Sequence, residues 1–186
     1  MIVGVLALQG DFAEHLAVLR SLHVAVHEVR SQKDLPQCTH LIIPGGESTV
    51  MERLMRSSGL WNSVRDRAAA GDLAIFGTCA GAILLARDIQ GKNAPQGLGL
   101  MDITIDRNAY GSQMQSFDVK VNIAGAESVH GAFIRAPKIT RVGSAVHTLA
   151  CHDGSPVLVR QGRMLAGTFH PEARGECTLH KMFLVM

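Results

Sequence analysis

The sequence lacks several features that would place it in a membrane or on a nucleic acid. No apolar stretch is long enough to cross a bilayer, and the N-terminus has no basic segment followed by the long apolar core of a signal peptide. The 18 Lys and Arg residues nearly balance the 16 Asp and Glu residues and form no basic run. We therefore expect a cytoplasmic protein without membrane or nucleic-acid partners.

The sequence also lacks a disulfide framework, linkers and repeats. Its cysteines show no tight pairing pattern, which in a chain of 186 residues predicts reduced thiols: Cys38, Cys79, Cys151 and Cys177. Cys177 and His180 have the i, i+3 spacing of a metal pair, but two ligands without partners favour packing or surface roles. We expect no metal and no cofactor, and a single domain spanning residues 1–186.

Strand-like and helix-like patterns alternate along the chain. Residues 2–8 form a near-continuous apolar run, as in a parallel strand that is buried on both faces. Residues 11–22 carry apolar side chains at helical spacing, and residues 50–70 form an interrupted helical region. Short strands and turns follow over residues 98–121 and 132–159. This alternation predicts an α/β fold.

The pentapeptide GTCAG at residues 77–81 is the most informative local feature. It lies between a short apolar run at residues 73–76, which predicts a buried strand, and a second run at residues 82–86, which predicts a helix. Glycines two positions before and after Cys79 relieve crowding at a sharp strand-to-helix turn, as in G-x-S-x-G hydrolases. Unpaired amides at the start of the helix favour the thiolate form of Cys79, which is the nucleophilic form.

A thiol nucleophile needs a base, and nine histidines compete for that role. Four lie in helical or strand patterns of the first quarter and are interpreted as surface or packing residues: His15, His23, His27 and His40. Four others lack a carboxylate in a suggestive position, apart from Asp153 beside His152: His130, His147, His152 and His180. His170 differs because it follows a strand-like run and precedes Glu172 by two positions. In extended chain this spacing lets Glu172 orient His170 toward Cys79.

A third element is required because fixed donors must meet the oxyanion of a tetrahedral intermediate. The hexapeptide PGGEST at residues 44–49 follows a buried strand-like run and opens a new helix. Adjacent glycines let backbone amides approach a ligand closely, although most Pro-Gly-Gly tripeptides are ordinary turns. We expect the amides of Gly46 and Ala80 to form the oxyanion hole.

The segments PGGEST, GTCAG and TFHPE, in this order, resemble the class I (triad) glutamine amidotransferases. Three further segments narrow the resemblance to the glutaminase subunits of pyridoxal 5'-phosphate synthase, the PdxT or SNO family: VLALQGD, DRNAYG and FIRAP. Ser112 departs from the family pattern, which has a basic residue there. The resemblance covers essentially the whole chain. It implies a flavodoxin-like three-layer α/β sandwich with a mostly parallel central sheet.

The resemblance also implies that L-glutamine is the substrate. The resemblance implies that the residues matching the pocket segments of the family bind this substrate: Gly46, Glu47, Ser48, Arg107, Ile134 and Arg135. Arg107 and Arg135 are the best partners for the α-carboxylate because a guanidinium can donate two hydrogen bonds to it. Glu47 either faces the α-ammonium group or caps the helix that follows.

In the implied reaction, Cys79 attacks the amide carbon and forms a glutamyl thioester, which water hydrolyses with His170 as the base. Ammonia is the useful product, and free in water it would mostly become ammonium, so it is passed directly to a partner. The resemblance implies that the partner is the PdxS synthase subunit. It places Gln9, Gly10 and Asp11 near that partner and the active site, although these residues also fit a plain helix start.

Three other interpretations share part of this pattern. Another class I glutaminase, such as the one serving imidazole glycerol phosphate synthase, would have the same triad and differ in its partner and arginine segments. A PfpI-like protein also has a cysteine on an α/β elbow, but commonly has a histidine where this chain has Ala80. A non-catalytic subunit is disfavoured by the intact set of Cys79, His170 and Glu172.

Overall fold

The computed structural model describes residues 1–107 and 117–186; residues 108–116, with Ser112 and most of the DRNAYG segment, lie outside the described residues. The strands of the described part are β1 (Val3–Leu6), β2 (Val26–Val29), β3 (His40–Ile43), β4 (Ala74–Thr78), β5 (Ala86–Gln90), β6 (Met101–Asp106), β7 (Phe117–Val121), β8 (Val129–Phe133), β9 (Lys138–Val142), β10 (His147–His152), β11 (Ser155–Gln161) and β12 (Met164–Gly167). Its α-helices are α1 (Phe12–Ser21), α2 (Ser48–Ser57), α3 (Leu60–Ala69), α4 (Ala80–Leu85) and α5 (Thr178–Leu184).

Seven strands form a central sheet in the order β10-β11-β12-β4-β3-β1-β2. The five strands from β12 to β2 are parallel, whereas β11 and β10 continue the sheet in antiparallel pairing. The parallel part has the strand order of the flavodoxin-like doubly wound sheets. The predicted α/β fold with a mostly parallel central sheet is therefore confirmed.

Helices cover both faces of this sheet. All residues of β1, β3 and β4 are buried, as expected for parallel strands enclosed between two helical layers. On one face, Leu19 of α1 and Phe183 of α5 pack in the same apolar cluster as Phe76. On the other, Met55 of α2 shares a cluster with Ile75. Because consecutive strand residues point to opposite faces, Ile75 and Phe76 join β4 to both layers.

Two smaller groups of strands lie beside the central sheet. β5, β6 and β9 form a three-stranded sheet, and β7 pairs with β8. The sequence predicts that the short strands cover the catalytic edge. β8 does so, because Ala132 makes an isolated bridge with His170, but β10 and β11 instead widen the central sheet.

The cysteines are free, as predicted: Cys38, Cys79, Cys151 and Cys177. Within the ranges that the structure describes, no helix has both the length and the apolar character needed to cross a membrane.

Four neighbouring parallel strands end at one edge of the sheet. Beyond β1, β3, β4 and β12 the chain continues into the segments that contain Gln9, Gly46, Cys79 and His170. Open α/β sheets bind their ligands outside the carboxyl ends of such strands. The sheet thus brings together segments that are far apart in the sequence.

Candidate active site

Cys79 stands on a strained turn between β4 and α4. Its φ of 46° and ψ of −100° lie outside the regions that residues with a side chain ordinarily adopt. Such a conformation costs about 1–3 kcal/mol and persists only where the surroundings impose it. Here the Cys79 amide donates a 2.8 Å hydrogen bond to the carbonyl of Gly167, at the end of β12. The predicted sharp turn is therefore present, and it is tied to the strand that leads to His170.

The two glycines around Cys79 are required by close packing. A Cβ atom on Gly81 would lie 2.0 Å from the carbonyl oxygen of Ile43 in β3, and one on Gly77 would lie 2.6 Å from the backbone of Gly81. Both separations are far shorter than real contacts. The glycine spacing in GTCAG therefore lets the elbow fold tightly against β3.

His170 and Glu172 have the geometry of a base and its orienting carboxylate. His170 Nδ1 lies 2.9 Å from Glu172 Oε1, and His170 lines the same cavity as Cys79. The His170 backbone is held by a 2.9 Å hydrogen bond from its amide to the Ala132 carbonyl. With Nδ1 committed to Glu172, Nε2 is the ring nitrogen left for Cys79.

The charge state of His170 follows from its two neighbours. Burial alone lowers the pKa of His170, but the hydrogen bonds and negative charges of Cys79 and Glu172 outweigh it and raise that pKa to about 10. Burial raises the pKa of Glu172 above its usual range, against the opposing effect of His170. The arrangement favours an imidazolium between the sulfur and the carboxylate near neutral pH.

Asp11 brings a second carboxylate to His170. Its Oδ2 atom lies 3.4 Å from His170 Nδ1, and the side chain is 47% exposed. Gly45 makes room for this contact, since a Cβ there would lie 2.2 Å from His170 Cε1 and 2.8 Å from the Asp11 carboxylate. The family resemblance places Asp11 near the partner and the active site, but the contact with His170 itself is not predicted, because it depends on the packing of α1 beside the turn that contains Glu172.

One group in the described part of the chain has ligand atoms close enough together for a metal ion: Asp11, His170 and Glu172. The atom that His170 would offer is its hydrogen-bonded Nδ1, so this group is first of all the charge cluster of the triad. Cys177 and His180, the pair considered from the sequence, do not belong to it.

Gln9 holds the loop that follows β3. Its side-chain amide donates to the Glu47 carbonyl at 3.3 Å, and its side-chain oxygen accepts from the Glu47 amide at 3.3 Å. Gly46 has a φ of +148°, and its Cα faces the Gln9 side chain. Ala80 is the first residue of α4, where a backbone N–H has no partner within the helix. The sequence predicts that the backbone amides of Gly46 and Ala80 form the oxyanion hole.

An open cavity of about 370 Å³ lies at the elbow. It is lined by Cys79 and His170, by Asp11 and Ile83, and by all six residues predicted to bind substrate: Gly46, Glu47, Ser48, Arg107, Ile134 and Arg135. Glu172 lies behind His170 and lines a smaller adjoining cavity instead. A cavity of this size suits a small ligand.

Glu47 and Arg107 form an ion pair in the wall of the cavity. The Glu47 carboxylate accepts from the amides of Thr49 at 3.1 Å and Val50 at 2.7 Å, which caps α2. Arg107 lies 3.0 Å from the same carboxylate. Partial burial raises the pKa of Glu47, but these amides and Arg107 keep it below its usual range. The sequence leaves two roles open for Glu47, contact with the α-ammonium group and a cap on the following helix, and the structure shows the helix cap.

Arg135 contrasts with Arg107. Arg107 donates to Thr49, to the Asn93 carbonyl and to Glu47. Arg135 is exposed, lines the cavity, and forms no hydrogen bond or ion pair within the described residues. Its backbone is strained, with a φ of 45°. Arg135 therefore has its full set of donors available for a ligand.

Comparison with known proteins places this site in a family. The family model of the SNO glutamine amidotransferase family matches residues 5–186. The chain belongs to this family. It is 50% identical over 183 residues to the pyridoxal 5'-phosphate synthase subunit PdxT of Thermus thermophilus, covering 98% of this chain and 96% of that protein. It is 52% identical over 189 residues to the PdxT subunit of Deinococcus radiodurans, covering 99% and 96%.

Solved structures agree with the SNO assignment. A crystal structure of a glutamine amidotransferase has a TM-score of 0.94 and 47% identity, covering all of this chain and 98% of the other. The crystal structure of a putative GMP synthase protein from Thermoplasma acidophilum has a TM-score of 0.69 at 16% identity, covering 100% and 93%. The second likeness extends to the fold alone.

Two buried histidines lie behind this site: the sequence interprets His15 as a surface or packing residue and His180 as lacking a suitable carboxylate, so the contact of His15 with Glu172 is not predicted. Both are fully buried, and His15 Nε2 lies 3.4 Å from Glu172 Oε1. The sequence does contain a signal that His15 is buried, because His15 lies on the apolar face of α1 with Leu16 and Leu19.

Proposed function

We propose that this chain is the glutaminase subunit of a pyridoxal 5'-phosphate synthase, working in the cytoplasm as one domain together with a PdxS synthase subunit. The observation that carries the proposal is the meeting of Cys79, His170 and Glu172 at a cavity large enough for glutamine. The names of the relatives from Thermus thermophilus and Deinococcus radiodurans support the choice of acceptor pathway.

The first half of the reaction follows from the charge state of the triad. A thiolate on Cys79 attacks the side-chain amide carbon of L-glutamine, and the resulting oxyanion is held by the amides of Gly46 and Ala80. His170, whose pKa is raised to about 10, is the imidazolium that donates a proton to the leaving nitrogen. Ammonia departs, and a glutamyl thioester remains on Cys79.

The second half uses the imidazole that the first half leaves neutral. His170 removes a proton from a water molecule, which attacks the thioester carbonyl through a second oxyanion in the same hole. Glutamate leaves, and the thiolate and imidazolium are restored. Glu172 remains ionised and keeps Nδ1–H fixed, so that Nε2 faces the reacting atoms in both halves.

Substrate binding uses the charges of the cavity wall. Arg135 receives the α-carboxylate, because its guanidinium has donors free in the described structure. Arg107 and Glu47 form the neighbouring wall, with Glu47 facing the α-ammonium group while it caps α2. Ser48 and Ile134 complete the pocket around the aliphatic part of the substrate.

The proposal is tested by measuring glutamate release by the purified chain, with and without purified PdxS. We expect activity that PdxS increases and that Cys79→Ala abolishes. Cys151→Ala is the matched control, because Cys151 is an exposed thiol that does not line the cavity. Full activity of Cys79→Ala would refute the mechanism.

Ammonia transfer has its own test. Glutamine labelled with nitrogen-15 in its side-chain amide is supplied to the complex in unlabelled ammonium buffer. We expect the label to appear in pyridoxal 5'-phosphate. Label diluted to the level of the buffer would refute direct transfer.

A further inference from the structure

Two buried histidines form a polar layer behind the triad. His15 of α1 and His180 of α5 are both 0% exposed, and neither lines the cavity. His15 Nδ1 lies 2.9 Å from His180 Nε2, and His15 Nε2 lies 3.0 Å from Thr78 Oγ1. Phe76 packs its ring edge-on to both imidazoles. The proposed mechanism assigns no task to either histidine.

Both histidines are neutral. Burial, with help from the charges of His180 and His170, lowers the pKa of His15 well below its usual value. Burial lowers the pKa of His180 to about 4, with partial opposition from the Glu176 carbonyl. A neutral imidazole has one N–H and one lone pair. In the contact between the two rings, one ring must therefore donate and the other accept.

Glu172 has fewer donors than a buried carboxylate requires. Its side chain is 0% exposed, and Oε1 receives the hydrogen bond from His170 Nδ1 at 2.9 Å. Within the described chain, Oε2 has no hydrogen-bond partner. Burying an ionised carboxylate is costly unless donors surround it. His15 Nε2 lies 3.4 Å from Oε1 and is therefore another buried nitrogen close to this carboxylate.

The charge on Glu172 selects the tautomer of His15. A lone pair on Nε2 would face a carboxylate oxygen at 3.4 Å, which is repulsive, whereas an N–H there is attractive. If the proton is on Nε2, Nδ1 accepts from His180 Nε2–H. His180 Nδ1 then carries a lone pair, and this is the atom without a hydrogen bond of standard geometry. This proton arrangement fits the contacts of His15 with Glu172, Thr78 and His180.

We propose that His15 is a positioning residue for glutamine hydrolysis: neutral and protonated on Nε2, it directs an N–H at Thr78 and Glu172 and keeps the carboxylate against His170. His180 fixes this tautomer from behind. Thr78 directly precedes Cys79, so His15 contacts both the elbow of the nucleophile and the residue that orients the base. This inference rests on the proposed glutaminase function and deepens it.

A pair of amide variants tests the role through atom positions. In His15→Gln the side-chain amide reaches the position of Nε2, whereas in His15→Asn it stops near the position of Nδ1. We expect His15→Gln to keep kcat for glutamine within about threefold of wild type and His15→Asn to lose at least about tenfold, with KM changed less than about twofold in both. Equal kcat values, or the reverse order, would overturn the proposal.

His40→Leu is the control for a purely structural effect. His40 is also buried, and it packs edge-on to Phe183 of the same helix that contains His180. We expect this variant to lower the melting temperature and leave kcat per folded molecule unchanged. A loss of kcat in His40→Leu equal to that in His15→Asn would overturn a specific role for His15.

The tautomer can be read without any activity. Long-range proton–nitrogen correlation spectra of the wild-type chain with nitrogen-15 histidine distinguish the two neutral forms of an imidazole. We expect His15 to be neutral and protonated on Nε2 at pH 7, and a proton on Nδ1 would overturn the proposal. A wild-type chain without glutaminase activity would refute the proposed function, and the spectra would still decide the state of His15.

Discussion

The buried histidines on the two sides of Glu172 differ in charge: His170 lies on the cavity side, and His15 and His180 lie behind. On the cavity side, His170 lies between a thiol and two carboxylates, and its pKa is raised to about 10. Behind Glu172, burial lowers the pKa of His180 to about 4 and that of His15 well below its usual value. All three side chains are nearly or completely buried. Burial lowers the pKa of all three imidazoles, and only at His170 do the hydrogen bonds and charges of Cys79 and Glu172 together outweigh it.

This division suits a hydrolase that must move protons on one side only. In the proposed reaction, His170 exchanges protons with the reacting atoms, while the neutral histidines support Glu172 without competing for its charge.

The largest effect is expected for His170→Asn, which removes the charged imidazole and keeps a polar side chain. Glutamate release should fall by at least about 10³-fold, because both the proton donor and the base are lost. Steady-state kinetics with glutamine measure this, and His147→Asn, at an exposed site, is the control. A loss below about tenfold would assign the base to another residue.

Glu172→Gln should lower kcat by about 10–10²-fold and change its pH dependence. Glu172 raises the pKa of His170 by its hydrogen bond and charge, so its removal lowers that pKa from about 10. The alkaline limit of kcat, where the proton donor is lost, then moves to lower pH. Asp11→Asn should shift the limit less, because Asp11 is half exposed and lies at 3.4 Å. A larger shift in Asp11→Asn would make Asp11 the main partner.

Arg135→Gln tests the proposed role of the cavity wall in binding glutamine. We expect KM for glutamine to rise by at least about tenfold with kcat within about threefold, as for loss of a charged contact to the α-carboxylate. The matched variant is Arg107→Gln, which breaks the contact with Glu47 and should also lower the melting temperature. Unchanged KM in Arg135→Gln would exclude it from substrate binding.

The smallest effect is expected for Gln9→Ala. The two 3.3 Å contacts between Gln9 and Glu47 hold the loop that contains Gly46, and the proposed function places this region near PdxS. Activation by PdxS, measured as the ratio of stimulated to basal glutamate release, should fall by about three- to fivefold. The same ratio as in wild type would contradict a role for Gln9 in activation.

Much of the site could be predicted from sequence because its main signals are local. The glycines around Cys79 and the two-residue spacing of His170 and Glu172 are both visible in short segments. The expected extended chain is absent, however, because Pro171 is helical and Glu172 begins a 3-10 helix, and the two side chains still meet at 2.9 Å. The break between α2 and α3 is likewise marked by Gly59, which has a φ of +74°. Parallel strands then place these segments at one edge, as the alternating pattern predicts.

The remaining features depend on contacts between distant segments. Asp11 and His15 reach the triad only because α1 packs beside the turn that contains Glu172, and no local pattern encodes that packing. The contact between Glu47 and Arg107 likewise joins residues that are 60 positions apart, whereas the cap that Glu47 forms on α2 is local. The antiparallel extension of the sheet by β10 and β11 is also missed, because short strands carry no signal for the sheet they join.

The most direct test of the central claim is covalent labelling of the wild-type chain with the diazoketone analogue of L-glutamine, followed by peptide mass mapping. The account predicts a single adduct on Cys79, prevented by excess glutamine and absent in His170→Asn under the same exposure. Labelling of Cys151 or Cys177 in preference to Cys79, or labelling of Cys79 that glutamine does not slow, would contradict it.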